Sequence, residues 1–215
     1  MARPSDYLQG ASRPPVLICG KRTAVAVEAG GTDVRVCVFI DGSNFFHACR
    51  QNLGRTDVNM GAFAELLVGP SRDLMRVYYY NCQLPPEEDV LKREGQQRFF
   101  TAIQRTPYFE LRLGRLVKRE TVCPACNDRR ERYQEKGVDM RIGVDMLAGA
   151  SKNLYDVAIL VTGDGDLVEA VKAVKDLGKH VELATLPIGR SDELANAADV
   201  VITLDQARMM PLYIR

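Results

Sequence analysis

Two uninterrupted apolar runs constrain the fold of this chain more than any other feature. Residues 36–40 (VCVFI) and 157–161 (VAILV) contain no polar position. Strands of this kind are buried on both faces, which is typical of the interior of a parallel sheet. Segments with helical spacing lie between and after the two runs, and they alternate with further strand-like runs. The pattern therefore predicts an α/β fold, in which helices cover both faces of a mostly parallel central sheet.

Local signals divide the rest of the chain into short elements. Asn59 and Ser191 are expected to cap helices. Residues 85–104 are expected to form a long helix that starts at a Pro-Pro pair, and residues 109–118 to form one bent strand or a hairpin. The predicted organisation is a loose N-terminal extension at 1–34, a domain at 35–205 with a small polar insertion at about 119–135, and a C-terminal tail at 206–215.

The composition excludes several classes of protein. The chain has 215 residues and only two histidines, so one chain cannot supply a three-histidine metal site. No apolar run approaches the roughly 18 residues that span a bilayer, and residues 1–15 lack the apolar segment of a secretory signal. Neither a G-x-x-x-x-G-K-[ST] phosphate loop nor a G-x-S-x-G nucleophile motif occurs. A soluble, cytoplasmic protein without membrane contact is expected.

The net charge of +1 hides an uneven distribution of charge. Residues 92–136 carry 12 basic and 6 acidic groups, whereas residues 137–215 carry 8 basic and 12 acidic groups. A basic middle beside an acidic C-terminal third indicates a protein that binds a polyanion and concentrates carboxylates nearby. A solvated, charged helix face is the alternative that composition leaves open.

Four carboxylates are predicted to lie at one edge of the sheet. Asp41 directly follows the first apolar run, and Asp164 and Asp166 follow the second. Asp139 lies in the first turn of the helix that leads into the second run, so the usual crossover brings it to the same edge. Asp oxygens suit Mg²⁺ or Mn²⁺, and four like charges need cations between them. Helix capping is the competing explanation, with Asp166 as the cap of the following helix.

Three motifs in a fixed order resemble the signatures of the NYN domain family. They are residues 39–44 (FIDGSN), 136–139 (KGVD) and 162–167 (TGDGDL), and the similarity extends over about residues 36–205. NYN domains of the LabA-like kind belong to the PIN-like metal-dependent nucleases. The resemblance therefore implies a PIN-like three-layer sandwich that cleaves RNA with Mg²⁺ or Mn²⁺. It also implies that the metal carboxylates are Asp41, Asp139, Asp164 and Asp166.

The resemblance assigns roles to two further residues. Asn44 is expected to position one of the carboxylates, and Asp145 matches a family position. Asp145 lies about 9 Å further along its helix than Asp139 and about 240° around it, so helix geometry separates it from a shared metal site. Leu167 departs from the family pattern, because an aromatic residue is common there.

These features predict a metal-dependent endoribonuclease that hydrolyses phosphodiester bonds with metal-activated water. Ser43 is expected to contact a phosphate oxygen. The flanking backbone of the RNA, single-stranded or structured, is expected to contact Lys136, Arg129, Arg130 and Arg132. Two alternatives stay open: a catalytically silent RNA-binding module on the same fold, and an aspartyl-phosphate phosphatase with Asp164 as its nucleophile.

Cys123 and Cys126 have the spacing of half a tetrahedral zinc site. None of the other cysteines or histidines has the spacing of a second knuckle. The pair therefore either joins its counterpart in a second chain, to form a homodimer around one Zn²⁺, or is free of metal. A redox role is disfavoured, because no thioredoxin-like strand–helix unit surrounds the pair.

Overall fold

A computed structural model describes residues 34–122 and 129–214. The strands in these ranges are β1 (Val34–Asp41), β2 (Arg72–Asn81), β3 (Phe109–Leu113), β4 (Arg115–Val122), β5 (Arg129–Lys136), β6 (Val157–Val161), β7 (His180–Thr185) and β8 (Val200–Thr203). Six of them form one sheet in the order β3-β2-β1-β6-β7-β8, and every neighbouring pair in it is parallel. The other two, β4 and β5, pair antiparallel in a separate ribbon.

Helices cover both faces of the six-stranded sheet. Along β1, Val38 and Ile40 face one apolar core, whereas Cys37 and Phe39 face the other, because successive strand residues alternate between faces. The helices are α1 (Gly42–Leu53), α2 (Met60–Val68), α3 (Val90–Arg105), α4 (Val138–Ser151), α5 (Val168–Asp176), α6 (Asp192–Ala197) and α7 (Gln206–Met209). The first core contains residues of α1, α2, α3 and α7, and the second contains residues of α4, α5 and α6. The predicted PIN-like three-layer sandwich is confirmed.

The strand order reverses direction between β1 and β6. From β1 the sheet extends to β2 and β3 on one side, and to β6, β7 and β8 on the other. In open α/β sheets, a crevice forms beyond the carboxyl ends of the strands at such a reversal, because the connections leave toward opposite faces. The loops that follow β1 and β6 border this crevice.

Two local predictions are wrong in the region between β2 and the ribbon. The helix expected at Pro85 begins at Val90, because Asp89 caps it by accepting from the Lys92 N–H (3.1 Å), while Pro85 and Glu88 close a separate turn (3.0 Å). Residues 109–118 form neither one bent strand nor a hairpin of their own. The first half joins the main sheet as β3, and the second half begins the ribbon as β4.

The change of sheet occurs at Gly114, where the chain passes very close to its neighbours. A Cβ at this position would lie 2.9 Å from Cys82 Sγ and 2.7 Å from Val138 Cγ2, closer than real Cβ contacts. A side chain at this position would therefore force Val138 or Cys82 to shift where the ribbon meets the ends of β2 and α4. Within the segment expected to be a polar insertion at about 119–135, the described residues belong to the paired strands β4 and β5, which together begin at Arg115 and end at Lys136.

The expected helix caps at Asn59 and Ser191 are confirmed. Their side chains accept from the backbone N–H groups of Ala62 (3.1 Å) and Leu194 (3.2 Å). Residues 206–214, predicted as a C-terminal tail, pack on the first core, where Leu212 is buried and its carbonyl accepts from the Asn59 N–H (2.8 Å). Within the described ranges, no helix has the length and apolar character needed to cross a membrane.

Candidate functional site

Asp41 is the last residue of β1 and the N-cap of α1, and it lies in the crevice. Its side chain is 5% exposed, and Oδ1 accepts from the Asn44 backbone N–H (3.0 Å), which caps the helix. Its second oxygen, Oδ2, accepts from the Thr162 hydroxyl at 3.4 Å. The residue therefore joins the end of β1 to the end of β6.

The loop after β6 is fixed to the start of α1 by side-chain hydrogen bonds. Asn44 Oδ1 accepts from the Gly163 N–H (2.8 Å), and Thr162 Oγ1 accepts from the Asp164 N–H (3.1 Å). A Cβ at Gly163 would lie 2.3 Å from the carbonyl oxygen of Gly189, so the loop tolerates only glycine there. These contacts leave little freedom in the direction of the carboxylates that follow.

Three carboxylates meet above this loop. Asp164 and Asp166 belong to a single 3-10 turn between β6 and α5, and Asp139 lies in the first turn of α4. One carboxylate oxygen from each of the three lies within 4.8 Å of the other two. Asp164 and Asp139 are half-buried, and Asp166 is exposed, so the group opens to solvent on one side.

Burial and the charges of neighbouring carboxylates destabilise the ionised forms of Asp41 and Asp139. Burial raises the pKa of Asp41 to about 6; the Asn44 N–H opposes the rise, and the charges of Asp139, Glu135 and Asp164 add to it. Burial also raises the pKa of Asp139, with further repulsion from Asp164 and Asp166. A divalent cation would relieve this repulsion, and hard carboxylate oxygens are the ligands that Mg²⁺ and Mn²⁺ prefer. The donor set therefore fits such an ion.

Helix capping accounts for only part of this arrangement. Asp41 and Asp164 do act as caps, but Asp166 does not: its own N–H donates to Asp164 Oδ1 (3.1 Å). The competing explanation for Asp166, that it caps the following helix, is therefore wrong, because no side chain caps α5. The cap position of α4 is Gly137, so Asp139 makes no side-chain cap either. Capping leaves the positions of Asp139 and Asp166 unexplained.

Asp145 lies outside the group of three acids, as helix geometry predicted. Its Oδ2 accepts from the Tyr80 hydroxyl at 2.9 Å, and Tyr80 is fully buried beneath α4. Tyr80 pairs with Asp41 in the register of β1 and β2. Asp145 therefore ties α4 to the strand beside Asp41, and its contact is with a phenol rather than with another carboxylate.

The other residues predicted at the site belong to α1 and β5. Ser43 is half-buried in the first turn of α1, and Lys136 is exposed at the end of β5. Arg129 is exposed at the start of β5, 3.7 Å from Glu120. Arg130 and Arg132 also belong to β5.

Cys123 and Cys126 lie outside the described residues, so the zinc prediction stays a prediction. Three other cysteines are buried free thiols: Cys37, Cys49 and Cys82. Burial raises the pKa of Cys37 and Cys82 to about 11 and that of Cys49 to about 12, which disfavours the thiolates that zinc binds.

Two residues at the site were missed from the sequence. Thr162 bridges Asp41 and Asp164, and its position directly before the Gly-Asp-Gly-Asp loop was the available signal. Glu135 is exposed at the end of β5, and its charge acts on Asp41. Its proximity depends on how the ribbon folds back to β2, for which the sequence carries no local signal.

The chain is similar to known proteins over most of its length. The family model described as NYN domain matches residues 35–205. The chain is 26% identical over 178 residues to "Low amplitude and bright protein LabA" of Synechococcus elongatus, an alignment that covers 81% of this chain and 86% of LabA. A protein of unknown function from Vibrio parahaemolyticus has a crystal structure with a TM-score of 0.61 and 20% identity, covering 83% of this chain and 98% of that chain.

Proposed function

Because the chain belongs to the NYN domain family, we propose that it is a metal-dependent ribonuclease. Its substrate is RNA, and Asp139, Asp164 and Asp166 hold Mg²⁺ or Mn²⁺. The observation that carries the proposal is the convergence of these three carboxylates at the reversal point of the sheet. Within the described residues, no Lys or Arg forms an ion pair with any of the three, so their charge is left for a cation.

Each residue of the site has a distinct task in this proposal. The three clustered carboxylates bind the ion, and Asp41 adds a fourth negative charge beneath them. Asn44 and Thr162 hold the loop after β6 so that Asp164 and Asp166 keep their direction. Ser43, in the first turn of α1, donates its hydroxyl to a phosphate oxygen of the substrate. When bound, the ion supplies a lowered pKa for an attacking water and neutralises the charge that develops on the phosphate.

Hydrolysis in this arrangement requires no side-chain nucleophile. The oxygen of a water molecule forms a bond to phosphorus and its proton goes to solvent. The bond between phosphorus and the leaving ribose oxygen breaks, and the leaving oxygen takes a proton from solvent. The carboxylates act by position and charge, which is the dominant contribution in phosphoryl chemistry. An aspartyl-phosphate phosphatase would instead form a covalent bond to Asp164.

The test is incubation of the pure protein with end-labelled single-stranded and structured RNAs in Mn²⁺, in Mg²⁺ and in EDTA. The proposal predicts cleavage with at least one of the two ions and none in EDTA. The control variant is Asp176→Asn, which removes an exposed carboxylate on α5 and should cleave like the parent. Binding of RNA without cleavage under any of these conditions would contradict the proposal and indicate a silent RNA-binding module. A trapped acyl-phosphate on Asp164 would contradict it in favour of the phosphatase.

A further inference from the structure

The antiparallel ribbon of β4 and β5 separates charge between its two faces. Residues directly opposite each other share a face, and successive residues alternate. The register pairs Arg115 with Lys136, and Arg119 with Arg132. We call the face of these pairs the outer face; it comprises positions 115, 117, 119 and 121 of β4 and positions 130, 132, 134 and 136 of β5. The inner face comprises positions 116, 118, 120 and 122 and positions 129, 131, 133 and 135.

The two sets of positions differ sharply in charge. The outer face has five basic residues and no acidic one. The inner face has two basic residues and three acidic ones. The basic residues of the outer set are Arg115, Arg119, Arg130, Arg132 and Lys136; the charged residues of the inner set are Lys118, Arg129, Glu120, Glu131 and Glu135. The outer positions therefore carry a net charge of +5 and the inner positions a net charge of −1.

The inner face is the one that contacts the rest of the domain. Leu116 and Tyr133 line a groove of about 590 Å³ together with residues of the segment 83–97. The Glu87 carboxylate accepts a hydrogen bond from Tyr133, and this bond lowers the pKa of Glu87. On the same face, Arg129 lies 3.7 Å from Glu120. Arg129 and Glu120 therefore lie close to each other, and Leu116 and Tyr133 contact the rest of the domain.

The outer face is exposed and its described cations are not neutralised. Arg115, Arg119 and Lys136 are all exposed. Among the residues that the structure describes, no carboxylate forms an ion pair with any of these three. The face is thus available to an external polyanion.

The ribbon begins beside the three clustered carboxylates. Lys136 precedes Gly137, the cap of α4, and Asp139 follows in the first turn of that helix. The close packing of Gly114 against Cys82 fixes the same end of the ribbon to β2. With a rise of about 3.4 Å per residue, the outer face extends about 24 Å away from that end.

We propose that the outer face of the ribbon binds the sugar–phosphate backbone of a single RNA strand on one side of the scissile phosphate. This inference rests on the proposed function, since the clustered acids alone would repel a polyanion and need a neighbouring basic surface. A-form duplex RNA has a deep, narrow major groove that does not admit a two-stranded ribbon, whereas a basic track suits a single strand. The division also changes the expected set of contacts: Arg129 is excluded, and Arg115 and Arg119 are included.

The test compares two variants that each remove two positive charges from the same ribbon. Arg115→Gln with Arg119→Gln alters the outer face, and Lys118→Gln with Arg129→Gln alters the inner face. The binding of a labelled 20-nucleotide single-stranded RNA is measured by fluorescence anisotropy in EDTA, over a series of salt concentrations. The outer-face variant should reduce the slope of log K against log salt by about 1.4, because two phosphate contacts are lost at about 0.7 each. The inner-face variant should retain the slope of the parent.

The outcomes separate this inference from the proposed function. Equal slopes for the two variants, or tighter binding of a duplex of the same length, would overturn the assignment of the outer face. Circular dichroism and thermal melting show whether both variants fold, and Arg115→Lys with Arg119→Lys should restore the slope. If the parent cleaves RNA with Mn²⁺ while the two variants bind alike, the inference fails and the ribonuclease stands. If the outer-face variant alone loses slope while the parent cleaves nothing, the ribonuclease fails and the binding face stands.

Discussion

The acidic crevice and the basic ribbon meet at Gly137, yet different physical constraints place their residues. In the crevice, Asp41 is buried and bonded to the neighbouring loop, so its position is set by the sheet and by several hydrogen bonds at once. In the ribbon, Arg115 and Arg119 are exposed, and only the strand register determines that they lie on the outer face. The crevice therefore suits chemistry that needs fixed geometry, whereas the ribbon suits contacts that tolerate movement and act through charge.

The largest expected effect comes from removing charge at the crevice. Replacing Asp164 and Asp166 together with Asn keeps the size of both side chains but removes two of the three clustered charges. Cleavage should fall at least about 10²-fold, comparable to losing a main electrostatic element of a transition state. RNA binding in EDTA should not weaken, because the ribbon supplies it. Single-turnover cleavage measures the first effect and fluorescence anisotropy measures RNA binding, both on the same protein preparation. An equal loss of cleavage and of binding would show that the crevice and the ribbon do not have separate roles.

The second expected effect is a change in the free energy of unfolding when Asp41 is replaced. The rise of its pKa from 3.8 to about 6 corresponds to about 3 kcal/mol. A carboxyl whose folded-state pKa is raised favours folding when protonated, below about pH 4, and this contribution is lost as the pH rises through about 6. In EDTA, Asp41→Asn should therefore be more stable than the parent by about 3 kcal/mol at pH 8 and nearly equal to it at pH 4.

Urea unfolding of both proteins at the two pH values provides the measurement. Comparing parent with variant cancels the contributions of other carboxyls, such as Asp156, whose pKa is lowered to about 2 by its bonds to Arg35. A variant that is less stable than the parent at pH 8 would show that the bonds of Asp41 to Asn44 and Thr162 outweigh the cost of its buried charge.

Asp145 should give the smallest effect of the three. Asn at this position still accepts from the Tyr80 hydroxyl, so the tie between α4 and β2 survives. Cleavage should change by less than about tenfold, well under the loss expected for the clustered acids. Asp145→Leu, which removes the acceptor, should lower the melting temperature. If Asp145→Asn loses as much activity as Asp164→Asn, Asp145 acts on the ion or the substrate and not through Tyr80.

The sequence predicted the crevice better than the ribbon, for reasons that concern particular residues. Asp41 and Asp164 follow buried strands, and parallel strands end at a common edge, so their proximity follows from the topology. Asp164, and not Asp166, caps the turn after β6, because the loop is tight enough for its side chain to accept from the Asp166 N–H. The amino-acid sequence of the loop does not indicate this geometry. In the ribbon, the side of Arg129 depends on register, which a polar, hydrophilic sequence specifies weakly.

The start of α3 shows the same limitation on a smaller scale. The sequence predicted a start at Pro85, whereas the helix begins after Asp89. Gln96 accepts from the Leu84 N–H (2.8 Å) and donates to the Cys82 carbonyl (3.0 Å). These bonds hold residues 82–84 in an extended connection beside the helix. A contact between residues 12 to 14 positions apart is not visible in local patterns.

Binding of Mn²⁺ tests the central claim most directly, because it requires no knowledge of the substrate. Isothermal titration calorimetry would compare the parent, Asp164→Asn with Asp166→Asn, and the surface control Asp176→Asn. The account predicts saturable binding to the parent and to the control, with release of protons near pH 6, where Asp41 titrates, and no binding to the doubly substituted protein. Undiminished binding to the doubly substituted protein, or none to the parent, would contradict the account.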